Sequence, residues 1–189
     1  HRQHTSAPLP LVVVERNRNA LRISAVDSRA EKLDLHLGQP LANARAMVPE
    51  LDAVPANHQA DAALLSQLAD WCDRFTPVVA LDRPDGLFLD IAGTSNLFGD
   101  DQNILATVLQ ELRLKSFAVQ GAIAGTTVSA RALAHYRDGF VVAENGEAHA
   151  VSSLPIEALQ LDPATTHAFR RAGLKTIGQV ANRKRSEIV

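Results

Sequence analysis

Asp82, Asp85 and Asp90 fall in one short stretch between Pro77 and Gly99. Carboxylates grouped at a sheet edge can hold a divalent cation for phosphoryl transfer. Two apolar runs, residues 78–81 and 87–91, flank Arg83-Pro84-Asp85-Gly86. Pro presets the backbone angle at the second position of a turn and Gly relieves the last. The stretch is therefore predicted to be a β-hairpin with Asp85 at its tip and Asp90 further along. Pro-Asp-Gly is also a good turn with no chemistry attached, because Asp is favoured in turns on its own account. On these residues alone, a metal site at Asp85 and a plain turn both stand.

A second group of residues with chemical potential lies near the other end. Arg170, Arg171, Lys175, Arg183, Lys184 and Arg185 cluster around Ala172-Gly173-Leu174-Lys175-Thr176-Ile177-Gly178. Short helical patterns at residues 165–172 and 177–181 enclose this Gly-containing turn, a helix-hairpin-helix-like arrangement. Backbone N–H groups at such a turn can meet a phosphate. Arg170, Arg171, Lys175 and Thr176 are the candidate DNA contacts, set against the equally simple reading of a solvated charged face.

The elements that must position these groups follow from periodicity. Residues 9–15 are β-branched and read as a buried strand, with residues 20–25 as its hairpin partner across Asn17-Arg18-Asn19. Residues 28–33 and 41–48 read as short helices, the second ended by Pro49. A longer helix is predicted over residues 59–74, with Leu64, Leu65, Leu68, Trp71, Cys72 and Phe75 at helical spacing; Trp71 and Cys72 are thereby core residues. After the hairpin come an amphipathic helix at 104–112, a strand at 117–124, a helix from Thr127 to His135 capped by Thr126 or Thr127, and a short strand at 140–143. Residues 144–152 are polar and read as a linker.

Composition bounds the class. The chain has 189 residues, 46% hydrophobic and 21% charged, enough for a packed core and too apolar for wholesale disorder. No apolar run reaches the length of a membrane span, so no membrane partner is expected. The single Cys72 excludes an internal disulfide and a cysteine-based zinc site, and fits a reducing cytoplasm. A net charge of −2 gives no global pull towards nucleic acid, so DNA contact must come from local patches. The opening His1-Arg2-Gln3-His4-Thr5 has neither a starting Met nor a signal pattern. Both ends read as cuts inside a longer protein.

The order of these pieces resembles the Y-family translesion DNA polymerases. Gly38-Gln39-Pro40-Leu41-Ala42-Asn43-Ala44-Arg45 and Val48-Pro49-Glu50-Leu51 are similar to the fingers pattern Gly-x-Pro-x-x-x-Ala, then Cys/Leu-Pro-x-Leu. Phe75-Thr76-Pro77 and Phe88-Leu89-Asp90-Ile91 resemble the palm pattern ending Tyr-Leu-Asp-Val-Thr. Asp138-Gly139-Phe140-Val141-Val142 and Leu154-Pro155-Ile156 are similar to the palm-to-thumb passage, and Leu174-Lys175-Thr176-Ile177-Gly178 to the thumb. The likeness runs from about Leu11 to Ile188. It implies an α+β fold with fingers at residues 8–73, a palm at 74–146 with an antiparallel-rich sheet, and a truncated helical thumb at 147–189. The little finger is absent.

The family's chemistry is two-metal nucleotidyl transfer, with one Asp on the first palm strand and an Asp-Glu pair on the later hairpin. By the resemblance, the first Asp precedes His1. The pair falls on Asp85-Gly86, so Asp85 is a vestigial metal candidate and the Glu is lost. The fingers Tyr and Arg that grip the triphosphate fall on Ser28 and Glu31, and the palm Lys falls on Thr127. A Glu at that place repels phosphate. The resemblance therefore points to the catalytically inactive ImuB-type subgroup, which implies a bacterial, cytoplasmic scaffold in damage-induced mutagenesis and translesion synthesis. It binds DNA weakly and works with a separate error-prone replicative-type polymerase, a RecA-like accessory protein and the sliding clamp. It requires no cofactor. The alternative is an active error-prone polymerase in which Asp82 or Asp90 replaces the missing Glu and Mg²⁺ is needed. A chance likeness in an unrelated α+β domain is the third reading.

Overall fold

The computed structural model describes residues 8–183, with residues 95 and 96 by backbone alone. The chain forms two compact units, one up to Leu64 and one from Leu65 onward.

The first unit is a three-stranded sheet with short helices. Strands β1 (Leu11–Asn17) and β2 (Ala20–Val26) form the expected hairpin, and β3 (Asp52–Pro55) pairs with β1 in parallel, giving the order β2-β1-β3. Alternation buries Val12 and Val14 of β1 and Ile23 of β2. Helix α1 (Ser28–Lys32) starts where the Asp27 carboxylate accepts the N–H groups of Arg29 and Ala30, and helix α2 (Leu41–Met47) follows Pro40. Their inward residues Ala30, Leu41 and Ala44 join the strand residues, Leu35 and Leu51 in one core.

Helix α3 (His58–Cys72) begins with an ion pair. His58 Nε2 lies 2.7 Å from Glu15 Oε1 on β1. The hydrogen bond that His58 donates to Glu15, then the Glu15 charge, raise the His58 pKa above the ordinary imidazole value. Protonated His58 is therefore favoured in the folded chain. Whatever stability the pair gives is complete below the unfolded imidazole pKa and fades as pH rises through the higher folded one. A proton-NMR titration should place the His58 midpoint above that of a model imidazole, and Glu15→Gln should bring it back down. An unchanged midpoint in the variant would remove Glu15 as the cause.

The second unit carries the predicted hairpin. Strand β4 (Val79–Asp82) pairs antiparallel with β5 (Gly86–Leu89), and Asp82 stands opposite Gly86. The loop is Arg83-Pro84-Asp85, with a cis peptide before Pro84, rather than a four-residue turn with Pro in second place. Val79, Leu87 and Leu89 share one face of this ribbon and pack with Cys72, Phe75 and Ile104. Helix α4 (Ser95–Phe98) follows, then α5 (Asp101–Leu114), whose N-terminus is capped by Asp100 accepting the Asn103 N–H at 2.7 Å. Ile104, Leu105, Leu109 and Leu112 form its buried stripe.

Strand β6 is only Ala122–Ile123, and it pairs in parallel with β7 (Phe140–Val141). The longer strand predicted over 117–124 is cut short because its only strand partner among the described residues is two residues long. Helix α6 (Thr127–Tyr136) crosses between them, capped by the Thr126 hydroxyl. Arg113 holds this end together: its Nη2 donates to Asp138 Oδ2 at 2.6 Å and to the Val119 carbonyl at 3.1 Å. Ladders β4–β5 and β6–β7 are separate, so among the described residues neither β5 nor β6 has a strand on its second side.

Residues 144–152, read as a linker, are mostly a helix. Helix α7 (Glu147–Ser152) forms because Ala150 is buried beside Leu133 of α6, a tertiary gain that outweighs its short length. A 3-10 turn (Ile156–Leu159), α8 (Pro163–Arg171) and α9 (Ile177–Ala181) complete the described chain. Ala132 and Leu133 of α6, Ala150 of α7, Leu154, Ala158 and Ile177 form one core, to which α8 adds no buried residue.

Candidate functional site

The ribbon β4–β5 has two faces, and the alternation that buries Val79, Leu87 and Leu89 puts Asp82 and Phe88 on the other. Asp85 is exposed in the loop and makes no hydrogen bond or ion pair among the described residues. Asp90 lies just beyond β5, where its Oδ1 accepts the Ala92 N–H at 3.0 Å while its carbonyl accepts the Thr76 hydroxyl. This Asx turn fixes the exit of the chain and occupies the Asp90 carboxylate locally.

Asp82 has a partner that sequence reasoning did not single out. Arg131 of α6 donates Nε to Asp82 Oδ2 at 2.6 Å and Nη2 to Oδ1, a two-pronged fork. The same guanidinium carbon lies 5.1 Å from the centre of the Phe88 ring. The two residues are 49 apart in sequence, so no local pattern links them. The sole signal was an Arg set among Ala and Leu on a helix of the palm-like region.

Two-metal chemistry needs several acidic ligands converging on two ions. Among the described residues no three His, Cys, Asp or Glu side chains group closely enough to hold a metal. Asp82 is committed to Arg131, Asp90 to its own turn, and the residue after Asp85 is Gly86, which offers no ligand. The donors present do not fit a two-ion centre.

Ser28 and Glu31, where the sequence resemblance would place phosphate-gripping residues, lie in α1. Thr127 is the first residue of α6, and the loop before it is closed by Glu147, whose Oε1 accepts the Thr126 N–H at 2.8 Å. A carboxylate therefore sits at the start of this helix, where an anion is favoured.

The predicted helical hairpin is present as α8, a turn with Gly173 at φ +78°, and α9. Arg170, Lys175 and Thr176 line one groove of about 490 Å³ with Ser153, Pro155 and Glu157, while Arg171 is exposed outside this lining. Arg170 Nε lies 2.5 Å from Glu157 Oε1. A hydrogen bond from its own backbone, then that of Arg170, hold the Glu157 carboxyl below its ordinary value against desolvation. Thr176 caps α9, and the Gln179 side-chain oxygen accepts the N–H groups of both Lys175, at 2.7 Å, and Thr176, at 3.2 Å. The turn donors expected to meet phosphate are already bonded inside the chain. The charges left to face solvent at this turn are those of Lys175 and Arg171; Lys184 and Arg185 lie outside the described residues.

The impB/mucB/samB family matches residues 4–135. Protein ImuB of Caulobacter vibrioides is 39% identical over 157 residues, covering 82% of this chain and 34% of that protein. DNA polymerase IV 2 of Mesorhizobium japonicum is 28% identical over 164 residues, covering 84% of this chain and 40% of that protein. The chain thus spans about a third of the ImuB relative it matches. Among solved structures, an insertion ternary complex of Dbh DNA polymerase superposes with a TM-score of 0.77 at 16% identity, over 95% of this chain and 55% of that one. DinB from Sulfolobus solfataricus superposes with a TM-score of 0.73 at 17% identity, again over 95% and 55%. At such identities the structures speak for the fold, which is the fingers and palm of a Y-family polymerase. The chain belongs to the impB/mucB/samB family of UmuC- and DinB-like, Y-family polymerase-like proteins.

Proposed function

We propose that the chain is part of a non-catalytic polymerase-like scaffold that acts on DNA in bacterial damage-induced mutagenesis and translesion synthesis, in the cytoplasm and without a required cofactor. The observation that carries this reading is the carboxylate set: Asp85 stands beside Gly86 where the family pair needs Glu, and Asp82 is tied to Arg131. A lost acidic ligand removes charge stabilisation from a transferring phosphoryl group. Similarity to ImuB at 39% identity supports the same reading. Partners on this reading are a separate error-prone replicative-type polymerase, a RecA-like accessory protein and the sliding clamp. Arg171 and Lys175 supply the DNA contact of the described thumb, weak and salt-sensitive because it rests on side-chain charge.

The second reading, an active polymerase with atypical ligands and Mg²⁺, draws support from exposed, unpaired Asp85 and from the relative called DNA polymerase IV 2. Primer extension by the complete protein separates the two. We expect no nucleotide addition with Mg²⁺ or Mn²⁺, and duplex binding that weakens several-fold when Arg171 and Lys175 are both changed to Glu. Magnesium-dependent extension that Asp85→Ala abolishes would decide for the enzyme. Duplex affinity indifferent to the charge reversals would remove the thumb contact.

A further inference from the structure

Gly86, Asp82 and Arg131 make one interlocked unit. Asp82 and Gly86 face each other across the β4–β5 ladder. A Cβ built on Gly86 would lie 3.0 Å from the Asp82 carbonyl oxygen and 3.1 Å from both its Cβ and Oδ2. Those distances are tighter than ordinary contact, so any side chain at 86 pushes on the carboxylate that Arg131 grips. Oδ2 is also the oxygen that receives Arg131 Nε at 2.6 Å. The pair is mostly withdrawn from water, with 29% of the Arg131 side chain and 21% of the Asp82 side chain exposed. A partly desolvated two-pronged guanidinium–carboxylate pair is the strong kind, and a guanidinium never loses its charge.

Resting on the scaffold reading above, we propose that Arg131 is a fixed internal counter-cation for the ribbon, doing against Asp82 what a divalent ion does against a catalytic carboxylate. It neutralises the acidic face, stacks on Phe88 and pins β4–β5 to α6. Both Asp82 oxygens are engaged, so Asp82 is closed to a hard cation. Gly86 belongs to the same device: a side chain there would press on the Asp82 carbonyl oxygen and Cβ and on the carboxylate oxygen that Arg131 holds.

The test is hydrogen exchange of the ribbon in the complete protein, with Mn²⁺ as the metal probe. Arg131→Gln and Asp82→Asn should each speed exchange of the Ala80 and Phe88 amides, which face each other across the ladder, about tenfold, and the double variant should be no faster than either single one, because partners in one contact do not add. Gly86→Ala should have the same effect in the native background and a smaller one in Arg131→Gln, where the carboxylate oxygen is free to move aside while the Asp82 carbonyl oxygen and Cβ stay in place. The exchanged pair Asp82→Arg with Arg131→Asp should restore protection in part. Mn²⁺ titration of the native protein should reveal no saturable site that Asp82→Asn removes. Additive effects of the two single variants, or an Asp82-dependent Mn²⁺ site in the native protein, would overturn the proposal. Primer extension stays a separate readout: polymerase activity with non-additive exchange data would sink the scaffold reading and leave the clamp standing.

Discussion

Leu133→Ala is expected to destabilise the second unit by about 3 kcal/mol. Leu133 of α6 is fully buried at 0% exposure, at the centre of the core that α6 shares with α7, the 3-10 turn and α9. The size of the loss follows from its neighbours. Ala132, Ala150 and Ala158 line the same core, and none has a side chain long enough to swing into the space left behind. Leu154 and Ile177 are anchored by a backbone bond between them, Ile177 N–H to the Leu154 carbonyl at 3.0 Å. The cavity therefore stays open, and the cavity contribution adds nearly in full to the lost transfer free energy. Urea unfolding followed by circular dichroism measures this. A loss under about 1 kcal/mol would mean that the site collapses and that the packing argument is wrong.

Gly178→Val should detach α9 from α7. A Cβ on Gly178 would meet the Ser152 carbonyl oxygen at 2.9 Å and its Cβ at 3.1 Å, and the obstacle is largely backbone, which cannot rotate away. A β-branched side chain needs still more room. The strain has a definite outlet, the short antiparallel contact in which Ile156 N–H donates to the Lys175 carbonyl at 3.0 Å and Pro155 faces Thr176. Overpacking of this kind costs about 2–3 kcal/mol. Amide exchange should rise at Ile156, Ile177 and along α9, with β1, β2 and β3 in the other compact unit unchanged. Gly178→Ala should do less, because better helix propensity offsets part of the clash. Undisturbed protection at Ile156 and Ile177 in the Val variant would contradict the close-packing account.

Reading the chain from its residues succeeds where the determinants are local. The β4–β5 hairpin was legible because apolar alternation and Pro-Asp-Gly sit within one stretch, and the structure moves its strands by only a residue or two. The β1–β2 hairpin, α3 and α5 were legible for the same reason, although α5 starts three residues earlier than expected because Asp100 caps it. Where tertiary contact decides, the pattern was silent. Residues 147–152 look like a polar linker and fold as α7 only because Ala150 finds the Leu133 core. The stretch 117–124, rich in small residues, looks like a long strand, and its short partner at Phe140–Val141 leaves it two residues. The site divides in the same way. Asp85 at a loop and the basic residues about Gly173 were visible as types and spacing, whereas the Arg131 fork joins residues 49 apart. The bonding of the Lys175 and Thr176 N–H groups to Gln179 was also out of sight, since a capping box can be drawn from Thr-x-x-Gln only once the helix start is known.

The close approach of Gly86 to Asp82 also limits what position 86 can hold. A Glu placed there would bring its side chain against an aspartate already held by Arg131. The two positions are therefore coupled, and a relative with a side chain at the place of Gly86 should lack an arginine at the place of Arg131.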